Sequence, residues 1–328
     1  MAGMGKRMRP HTLTVPKPLL PIAGKPIVHR LVEDIAAVCG KQVDNIGFVV
    51  GHFGEEVEKN LLSIAASVGA KGHIFYQEEA LGTAHAVLCA KDILQGNCIV
   101  AFADTLFKAD FTLDADKDGI IWVQAVEDPS AFGVVQLDGE GNIVDFVEKP
   151  KEFVSDKAII GIYYFKDGDA LNRELQYLID NKAMVKGEYQ LTDALQNLKQ
   201  KGAKFRPGVV QEWLDCGNKN ATVHTNQRYL EYIRDQELVA KSAELHNTVI
   251  IPPVYVGENA RISNSVIGPH VSVGDNTRIS DSRISNTIIA TNSQLSGQVM
   301  TNSMIGNFVE MSHEAEELSI GDYTQTKS

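Results

Sequence analysis

The sequence has few cysteines, and they follow no metal-binding or redox pattern. Its 328 residues contain only four, and no two of them form a C-x-x-C pair. Small secreted domains that depend on disulfides are rich in cysteine, whereas cytosolic proteins keep isolated thiols reduced. The number and spacing of the cysteines therefore argue against a disulfide scaffold, and we expect reduced, mostly buried thiols in a cytoplasmic protein.

Positive charge and long apolar runs are also scarce. The formal net charge of −11 argues against non-specific nucleic-acid binding, because a phosphate backbone attracts a basic face. No apolar run approaches the roughly 18 residues of a membrane span, so we expect neither membrane insertion nor a signal peptide. With 44% hydrophobic and 22% charged residues the chain has an ordinary globular composition, and its length favours two domains.

Several of the basic residues concentrate near the start of the chain. Residues 3–10 read G-M-G-K-R-M-R-P, and the motifs P-K-P-L and G-K-P follow. Glycine lets backbone N–H groups approach a polyphosphate closely, and Arg7 and Lys17 supply fixed positive charge. A dinucleotide fingerprint would need a glycine at Met8, and no glycine stands five residues before Gly40 to make a Walker loop. A basic surface loop is the alternative.

These motifs resemble the signature of the sugar-1-phosphate nucleotidyltransferases, which runs G-x-G-T-R-L-x-P-x-T, then P-K-P-L, then G-K-P. Lys6 and Met8 stand where that pattern has Thr and Leu. The resemblance implies that Arg7 stabilises the leaving pyrophosphate and that Lys17 contacts the α-phosphate. It also implies nucleotide binding by the loop residues Ala2, Gly3 and Gly5.

In that family a buried strand precedes the glycine loop and forms the middle of a parallel sheet. This chain opens with M-A-G, so we expect that strand to be missing upstream of residue 1, with two sheet edges left open. A start site at an internal methionine would explain its loss. We expect a chain with the strand restored to be more stable and more active.

Helical and strand periods alternate between Pro26 and about residue 235. Helical spacing of apolar residues and short apolar runs follow one another in the segments 27–38, 46–50, 57–68, 73–76, 84–90, 98–102, 120–126, 170–181, 191–201 and 204–210. This alternation predicts an α/β domain with a Rossmann-like, mixed and mainly parallel sheet that binds ligands at the carboxyl ends of its strands. Closely spaced runs between Phe132 and Phe165 predict an antiparallel insertion over a pocket.

The residue pattern changes after a polar helix predicted over Lys219–Ala243. From Ile250 to Leu295, aliphatic residues recur every five or six positions with Gly, Asn, Asp and Ser between them. This period predicts a parallel β-helix of about three coils rather than a β-sandwich, and the resemblance to hexapeptide-repeat proteins implies left-handed coils. We expect the β-helix to mediate homo-oligomer assembly or to buttress the first domain. The predicted divisions are a nucleotidyltransferase domain at 1–235, a linker at 236–248, the β-helix at 249–311 and a tail at 312–328.

The segment Q-E-E-A-L-G-T-A-H at 77–85 matches the Q-x-x-x-x-G-T-A-x-A motif of the nucleotidyltransferases. An amide at the end of a strand can read a base edge, and a glycine turn places backbone donors beside it. The resemblance implies that Gln77 hydrogen-bonds the nucleobase and that the backbone of Gly82 touches it. A solvated loop amide is the alternative for Gln77.

Two aspartates are candidate metal ligands. Asp104 follows the most apolar run, and Asp215 stands in W-L-D-C-G, which matches the family motif W-x-D-x-G. Two convergent carboxylates and nucleotide phosphates are the hard oxygen ligands that Mg²⁺ prefers. The resemblance implies that both aspartates bind Mg²⁺, although a lone aspartate at a strand end is equally often a helix cap.

Four further segments match the family in its order: F-G-V-V at 132–135, E-K-P at 148–150, G-I-Y at 161–163 and E-Y-Q-L-T-D at 188–193. The resemblance implies that Lys149 holds the phosphate of the sugar phosphate. It implies sugar binding by Gly133, Glu148, Gly161 and Glu188.

The motifs together predict an enzyme that joins a nucleoside triphosphate and a sugar 1-phosphate. We expect dTTP or UTP with glucose 1-phosphate, because an amide such as Gln77 pairs with the imide edge of a pyrimidine. Mannose-1-phosphate guanylyltransferase is the alternative substrate pair. A non-catalytic regulatory paralogue is disfavoured because Arg7 and both aspartates are present, and an acyltransferase in the repeat because His270 is its only histidine.

Overall fold

The computed structural model describes residues 5–109, 113–185 and 187–325. These residues form two compact units. The first unit contains the described residues up to Leu20 together with Lys25–Thr222, and the second contains Pro21–Gly24 together with the residues from Val223 onward. The predicted end of the nucleotidyltransferase domain near residue 235 stays a prediction.

The α-helices overlap the segments that the sequence predicted as helical. In the described residues they are α1 Ile27–Cys39, α2 Glu55–Ser67, α3 Thr83–Leu88, α4 Gly168–Asp180, α5 Leu191–Gln200 and α6 Lys219–Tyr232. α1 ends at Gly40, whose φ of 59° is the left-handed conformation in which glycine commonly stops a helix. α4 begins after Asp167, whose Oδ1 accepts a hydrogen bond from the N–H of Ala170 at 2.8 Å.

The strands before α6 form one large sheet and several smaller pairs. They are β1 Pro21–Ile22, β2 Lys25–Pro26, β3 Asn45–Val50, β4 Lys71–Tyr76, β5 Cys98–Ala101, β6 Thr105–Lys108, β7 Gly119–Ala125, β8 Gly133–Leu137, β9 Ile143–Glu148, β10 Lys157–Phe165, β11 Phe205–Val209 and β12 Glu212–Asp215. The sheet has the order β11-β7-β10-β8-β9, and β5 also pairs with β10. β11 runs parallel to β7 and the other neighbours are antiparallel, while β3 and β4 form a separate parallel pair.

The predicted α/β class with a mixed sheet is confirmed. The strands between Phe132 and Phe165 are antiparallel, as expected, but they continue the large sheet because β10 pairs with both β5 and β7. The ladder of β6 with β12 was not predicted. It matters for function because β6 begins directly after Asp104 and β12 ends at Asp215.

Apolar cores among the described residues hold the first unit together, and two of them support the candidate site. In one core α4 and α5 pack against the large sheet, with Leu171 and Leu195 buried together with Phe146. In the other, α1 and α2 cover β3, with Val28 and Leu61 both buried. Close-packed interiors of this kind fix the strand ends on which the candidate site residues stand.

The second unit contains the predicted parallel β-helix. Its strands are β13 Glu244–His246, β14 Val249–Ile250, β15 Val254–Val256, β16 Arg261–Ser263, β17 Val266–Ile267, β18 Val271–Val273, β19 Arg278–Ser280, β20 Arg283–Ile284, β21 Thr287–Ile289, β22 Gln294–Ser296, β23 Val299–Met300, β24 Ser303–Ile305 and β25 Glu310–Ser312. They form three parallel sheets of five, four and four strands. Ile262, Ile279 and Leu295 stack in register inside the coils.

Two details of this unit differ from the sequence prediction. The sheets give about four coils rather than three. At the start, β13 precedes Ile250, the first aliphatic residue of the predicted repeat. At the end, Met300, Ile305 and Met311 continue the strands after Leu295. α6 ends at Tyr232 and not at Ala243, because Val239 already bridges to Val256 of the β-helix. The left-handed sense of the coils stays a prediction. None of the helices in the described residues combines the length and apolar character that a membrane span requires.

Candidate active site

The glycine loop passes close to Lys17. Gly5 has a φ of 53°, and its carbonyl accepts a hydrogen bond from Oγ1 of Thr12 at 2.8 Å. A Cβ atom on Gly5 would lie 3.2 Å from the Cβ atom of Lys17, so glycine suits both the conformation and the close approach. The other two predicted loop residues, Ala2 and Gly3, lie outside the described residues.

Lys17 and the two candidate metal ligands form the centre of the site. Nζ of Lys17 donates to Oδ2 of Asp104 at 2.9 Å, and the lysine side chain is only 9% exposed while that of Asp104 is 44% exposed. Asp215 lies opposite Thr105 in the antiparallel ladder of β6 with β12. Because Asp104 immediately precedes Thr105, the two carboxylates are brought to the same end of this ladder.

The electrostatic environment of Asp215 connects it to the neighbouring charges. Burial raises the pKa of Asp215, and the negative charge of Asp104 also raises it. The N–H of Gly217, which donates to Oδ1 at 2.8 Å, and the positive charges of Lys17 and Arg7 lower the pKa and partly offset these effects. Arg7 is exposed on the 3-10 turn, and its charge acts on the same centre as that of Lys17.

This set of donors fits a hard divalent cation. The two carboxylates repel each other, and the direct ion pair that Lys17 forms is with Asp104. A cation between the carboxylates would relieve that repulsion. The described residues contain no group of three or more His, Cys, Asp and Glu side chains that could hold a metal ion, so the protein would supply these two carboxylates and a bound molecule would supply further oxygen ligands.

A second part of the site lies where β4 leads into α3. Gln77 directly follows β4, and its Nε2 donates to the carbonyl oxygen of Gly82 at 3.1 Å. A Cβ atom on Gly82 would lie 2.5 Å from the carbonyl oxygen of Tyr189 and 3.0 Å from Cβ of Glu188, so only glycine fits. Gly82 therefore brings Gln77 close to Glu188, which is exposed and accepts a hydrogen bond from Nε2 of Gln190 at 3.0 Å.

The third part lies on the ladder of β8 with β9. Gly133 is paired with Glu148, and a Cβ atom on Gly133 would lie 3.0 Å from Oε2 of Glu148 and 3.6 Å from Cγ2 of Thr192. Nζ of the exposed Lys149 is 3.4 Å from Oε1 of Glu148. Oγ1 of Thr192 is buried and has no hydrogen-bond partner among the described residues. Glycine thus leaves space over this strand beside a carboxylate, an ammonium group and a hydroxyl.

Gly161 lies between the β8–β9 ladder and Asp104. The pairing of β10 with β7 shifts register around Gly161, whose φ is 85° and whose carbonyl accepts a hydrogen bond from the N–H of Phe102 at 2.8 Å. The ring of Phe102, two residues before Asp104, makes an edge contact with that of Tyr163 at 5.6 Å. Burial raises the pKa of Tyr163, and the negative charges of Glu148 and Asp104 raise it further, so this side chain lies near both carboxylates.

The described candidate residues therefore belong to one connected region of the first unit. Sequence reasoning gave no role to three residues inside its own motifs: Phe102 and Tyr163, which connect the parts, and His85, whose Nδ1 is 3.0 Å from Nε2 of Gln77. Phe132 also contacts Trp213 edge-on at 5.1 Å and so joins the F-G-V-V strand to the W-x-D-x-G motif. The two ring contacts join residues far apart in sequence, and no local pattern indicates them.

Comparison with known proteins identifies the family. Residues 1–232 match the family model described as Nucleotidyl transferase, and the chain belongs to this family. The low-salt glycan biosynthesis nucleotidyltransferase Agl11 of Haloferax volcanii is 33% identical over 237 residues, which cover 70% of this chain and 64% of that protein. The bifunctional protein GlmU of Methanococcus maripaludis is 31% identical over 76% of this chain and 57% of its own length. The chain thus matches less than two thirds of the length of these two relatives.

A third relative is matched over more of its length. The glucose-1-phosphate thymidylyltransferase of Streptomyces antibioticus is 32% identical over 265 residues, which cover 78% of this chain and 71% of that protein. Among solved structures, UDP-glucose pyrophosphorylase complexed with UDP-glucose superposes with a TM-score of 0.57 at 24% identity, over 70% of this chain and 96% of that one. A likeness at this identity shows the fold alone.

Proposed function

We propose that this nucleotidyl transferase forms an NDP-sugar and pyrophosphate from a nucleoside triphosphate and a sugar 1-phosphate. The observation that carries the proposal is the buried Lys17, held 2.9 Å from Asp104 and close enough to Asp215 to affect its pKa. The positive charge of Lys17, beside two carboxylates that could bind a metal ion, suits a site that binds two polyanionic substrates. Gln77 and Glu148 are the candidate binders of the base and of the sugar.

The chemistry needs alignment and charge neutralisation more than proton transfer. An oxygen of the sugar phosphate attacks the α-phosphorus, the bond from the α-phosphorus to the bridging oxygen breaks, and pyrophosphate leaves. A phosphate monoester dianion is already a nucleophile, so no general base is required. Lys149 would hold the attacking phosphate, Lys17 the α-phosphate and Arg7 the leaving pyrophosphate. The protein would lower the barrier by holding both polyanions in line and offsetting their repulsion.

Asp104 and Asp215 would hold Mg²⁺. A bound Mg²⁺ supplies positive charge to the phosphate oxygens during transfer. The fit rests on the mutual repulsion of the two carboxylates and on their position at one end of the β6–β12 ladder. Ala2, Gly3 and Gly5 remain candidates for backbone contacts to the nucleotide.

For substrates we propose dTTP or UTP with glucose 1-phosphate. Gln77 is the candidate base reader, and Gly133, Glu148, Gly161 and Glu188 are the candidate sugar contacts. The relative from Streptomyces antibioticus is a glucose-1-phosphate thymidylyltransferase, which supports this sugar phosphate and a thymine base. The UDP-glucose pyrophosphorylase that shares the fold is complexed with UDP-glucose, a uridine nucleotide of the same sugar.

A panel of substrates tests the proposal. Pyrophosphate release is measured for dTTP, UTP, GTP, CTP and ATP, each with glucose, mannose and N-acetylglucosamine 1-phosphates and with Mg²⁺. We expect turnover with dTTP or UTP and glucose 1-phosphate, and loss of that turnover in the Asp104→Asn variant. Turnover only with GTP and mannose 1-phosphate would replace the substrate pair, and no turnover with any pair would refute the enzymatic function.

We also propose that the β-helix unit supports a homo-oligomer. Coils of this kind end in an open layer of strands that a neighbour or a cap must cover. Light scattering on the purified protein measures the mass directly, and a monomer at micromolar concentration would refute this.

A further inference from the structure

The side-chain amide of Gln77 is held by two hydrogen bonds that use the same atom. Its Nε2 lies 3.1 Å from the carbonyl oxygen of Gly82 and 3.0 Å from Nδ1 of His85. Gly82 is the residue that caps α3, and His85 belongs to the first turn of that helix. Both hydrogen-bond partners therefore come from one short segment of rigid backbone.

The carbonyl of Gly82 determines which way the amide faces. A backbone carbonyl only accepts hydrogen bonds, so the amide atom beside it must be the nitrogen. The second hydrogen of that nitrogen then points at Nδ1 of His85, which must be the unprotonated nitrogen of a neutral ring whose proton is on Nε2. Oε1 of Gln77 is the atom of the amide left to interact with a ligand.

The backbone on both sides of this arrangement is fixed. The N–H of Gln77 donates to the carbonyl of Val50 at 2.9 Å, which continues the β3–β4 pair. The N–H of Ala84 donates to the carbonyl of Tyr189 at 3.0 Å, and the same carbonyl prevents any side chain at Gly82. Neither the strand end nor the helix start can move far to accommodate a rotated amide.

We propose that His85 is a positioning residue that selects the base by fixing the orientation of Gln77. An outward Oε1 accepts a hydrogen bond from a ring N–H, as on N3 of uracil and thymine, and repels the bare ring nitrogen of cytosine N3 or adenine N1. Without an acceptor at Nδ1, the amide keeps only its hydrogen bond to the carbonyl of Gly82, so its outward Oε1 is held less firmly toward the base. The inference rests on the proposed role of Gln77 in hydrogen-bonding the nucleobase. It adds that His85 makes this contact selective for one type of base.

Direct nucleotide binding tests this without requiring turnover. The affinities of UTP and CTP are measured by calorimetry in the presence of Mg²⁺ and without sugar phosphate, for the wild type and for His85→Leu, His85→Gln and His85→Asn. Leu removes the acceptor, Gln carries its acceptor farther out than Nδ1, and Asn can place an amide oxygen near the position of Nδ1. One hydrogen bond is worth about 1 kcal/mol, so the preference for UTP over CTP should fall about fivefold in His85→Leu and His85→Gln. His85→Asn should retain most of the preference.

A double-variant comparison separates positioning from general damage to the helix. In a Gln77→Leu background the base preference should already be lost, and adding His85→Leu should change it no further. Three results would overturn the inference. His85→Leu could show the same preference for UTP over CTP as the wild type, or the wild type could bind UTP and CTP equally. The double variant could also lose more preference than Gln77→Leu alone. Selective binding of UTP by a protein that turns over no sugar phosphate would instead refute the proposed enzymatic function and leave this inference supported.

Discussion

Replacing Gly161 by alanine tests whether the irregular part of β10 positions Asp104. The φ of 85° at Gly161 lies in the region that costs an L-residue about 1–2 kcal/mol. The new Cβ atom would lie 3.0 Å from Cδ2 and 3.2 Å from Cβ of Phe102, closer than ordinary van der Waals contact. Overpacking of this kind adds about 1–3 kcal/mol. We therefore expect the free energy of unfolding to fall by about 2–5 kcal/mol.

Gly69 provides a matched control for the backbone conformation. Its φ is 77°, and no heavy atom lies within 4 Å of an added Cβ atom. Gly69→Ala therefore carries the conformational cost alone, about 1–2 kcal/mol. In a domain of about 200 residues each kcal/mol lowers the melting temperature by about 2–4 °C, so Gly161→Ala should melt about 2–12 °C below Gly69→Ala.

Activity distinguishes a local defect from a defect at the site. Phe102 stands two residues before Asp104, so a displaced ring should move the carboxylate and lower kcat about tenfold or more. Gly69→Ala should keep the wild-type kcat. Calorimetry gives the melting temperatures, and pyrophosphate release at saturating substrate gives kcat. Equal melting temperatures would show that Phe102 moves aside at no cost, and a wild-type kcat in Gly161→Ala would show that this contact does not position Asp104.

Three further predictions concern the charged centre and the sugar side. Lys17→Met should lower kcat about a hundredfold or more, because loss of one preorganised charge commonly costs about 10²–10³ in rate, and near-normal pyrophosphate release would remove Lys17 from the mechanism. Asp215→Asn should lose turnover yet melt higher than the wild type near pH 7 in the absence of metal, because a raised pKa means that the ionised carboxylate destabilises the folded state. This gain should vanish as the pH falls below the pKa of an unfolded aspartate, and calorimetry that shows no gain at pH 7 would contradict the raised pKa. Gly133→Ala should raise KM for glucose 1-phosphate but not for the nucleotide, since its Cβ atom would lie 3.0 Å from Oε2 of Glu148, and an equal rise for both substrates would contradict a sugar-side role.

Periodicity in the sequence predicted the longer elements well, and the reason is physical. α1, α2, α4 and α5 each bury one face, so their apolar residues recur at helical spacing. β6 and β12 contain four residues each, too few for a period to stand out, and their pairing joins segments far apart in the chain. The same limit applies to α6, whose polar sequence carries no clear stripe to mark its end at Tyr232.

The candidate site residues were predicted from motif resemblance, whereas the contacts between them are known only from the structure. Gly161 lies against Phe102 at the point where the pairing of β10 with β7 shifts register. The sequence of one strand does not specify such a shift. The orientation of the Gln77 amide likewise depends on where the carbonyl of Gly82 points. Sequence identifies which chemical groups are available, whereas tertiary packing decides which atoms of those groups face the ligand.

The motif glycines and the motif charges support function to different degrees. Gly82 is required by the backbone of Tyr189, and Gly161 by its own φ and by Phe102, so the fold explains both glycines without any ligand. Lys17 is different, because a 9% exposed ammonium group loses hydration on folding, and that loss opposes the gain from its ion pair with Asp104. Asp215 adds a carboxylate whose ionised form is disfavoured where it stands. Since these charges contribute no packing that an apolar side chain would not, the phosphate binding proposed above would explain their presence.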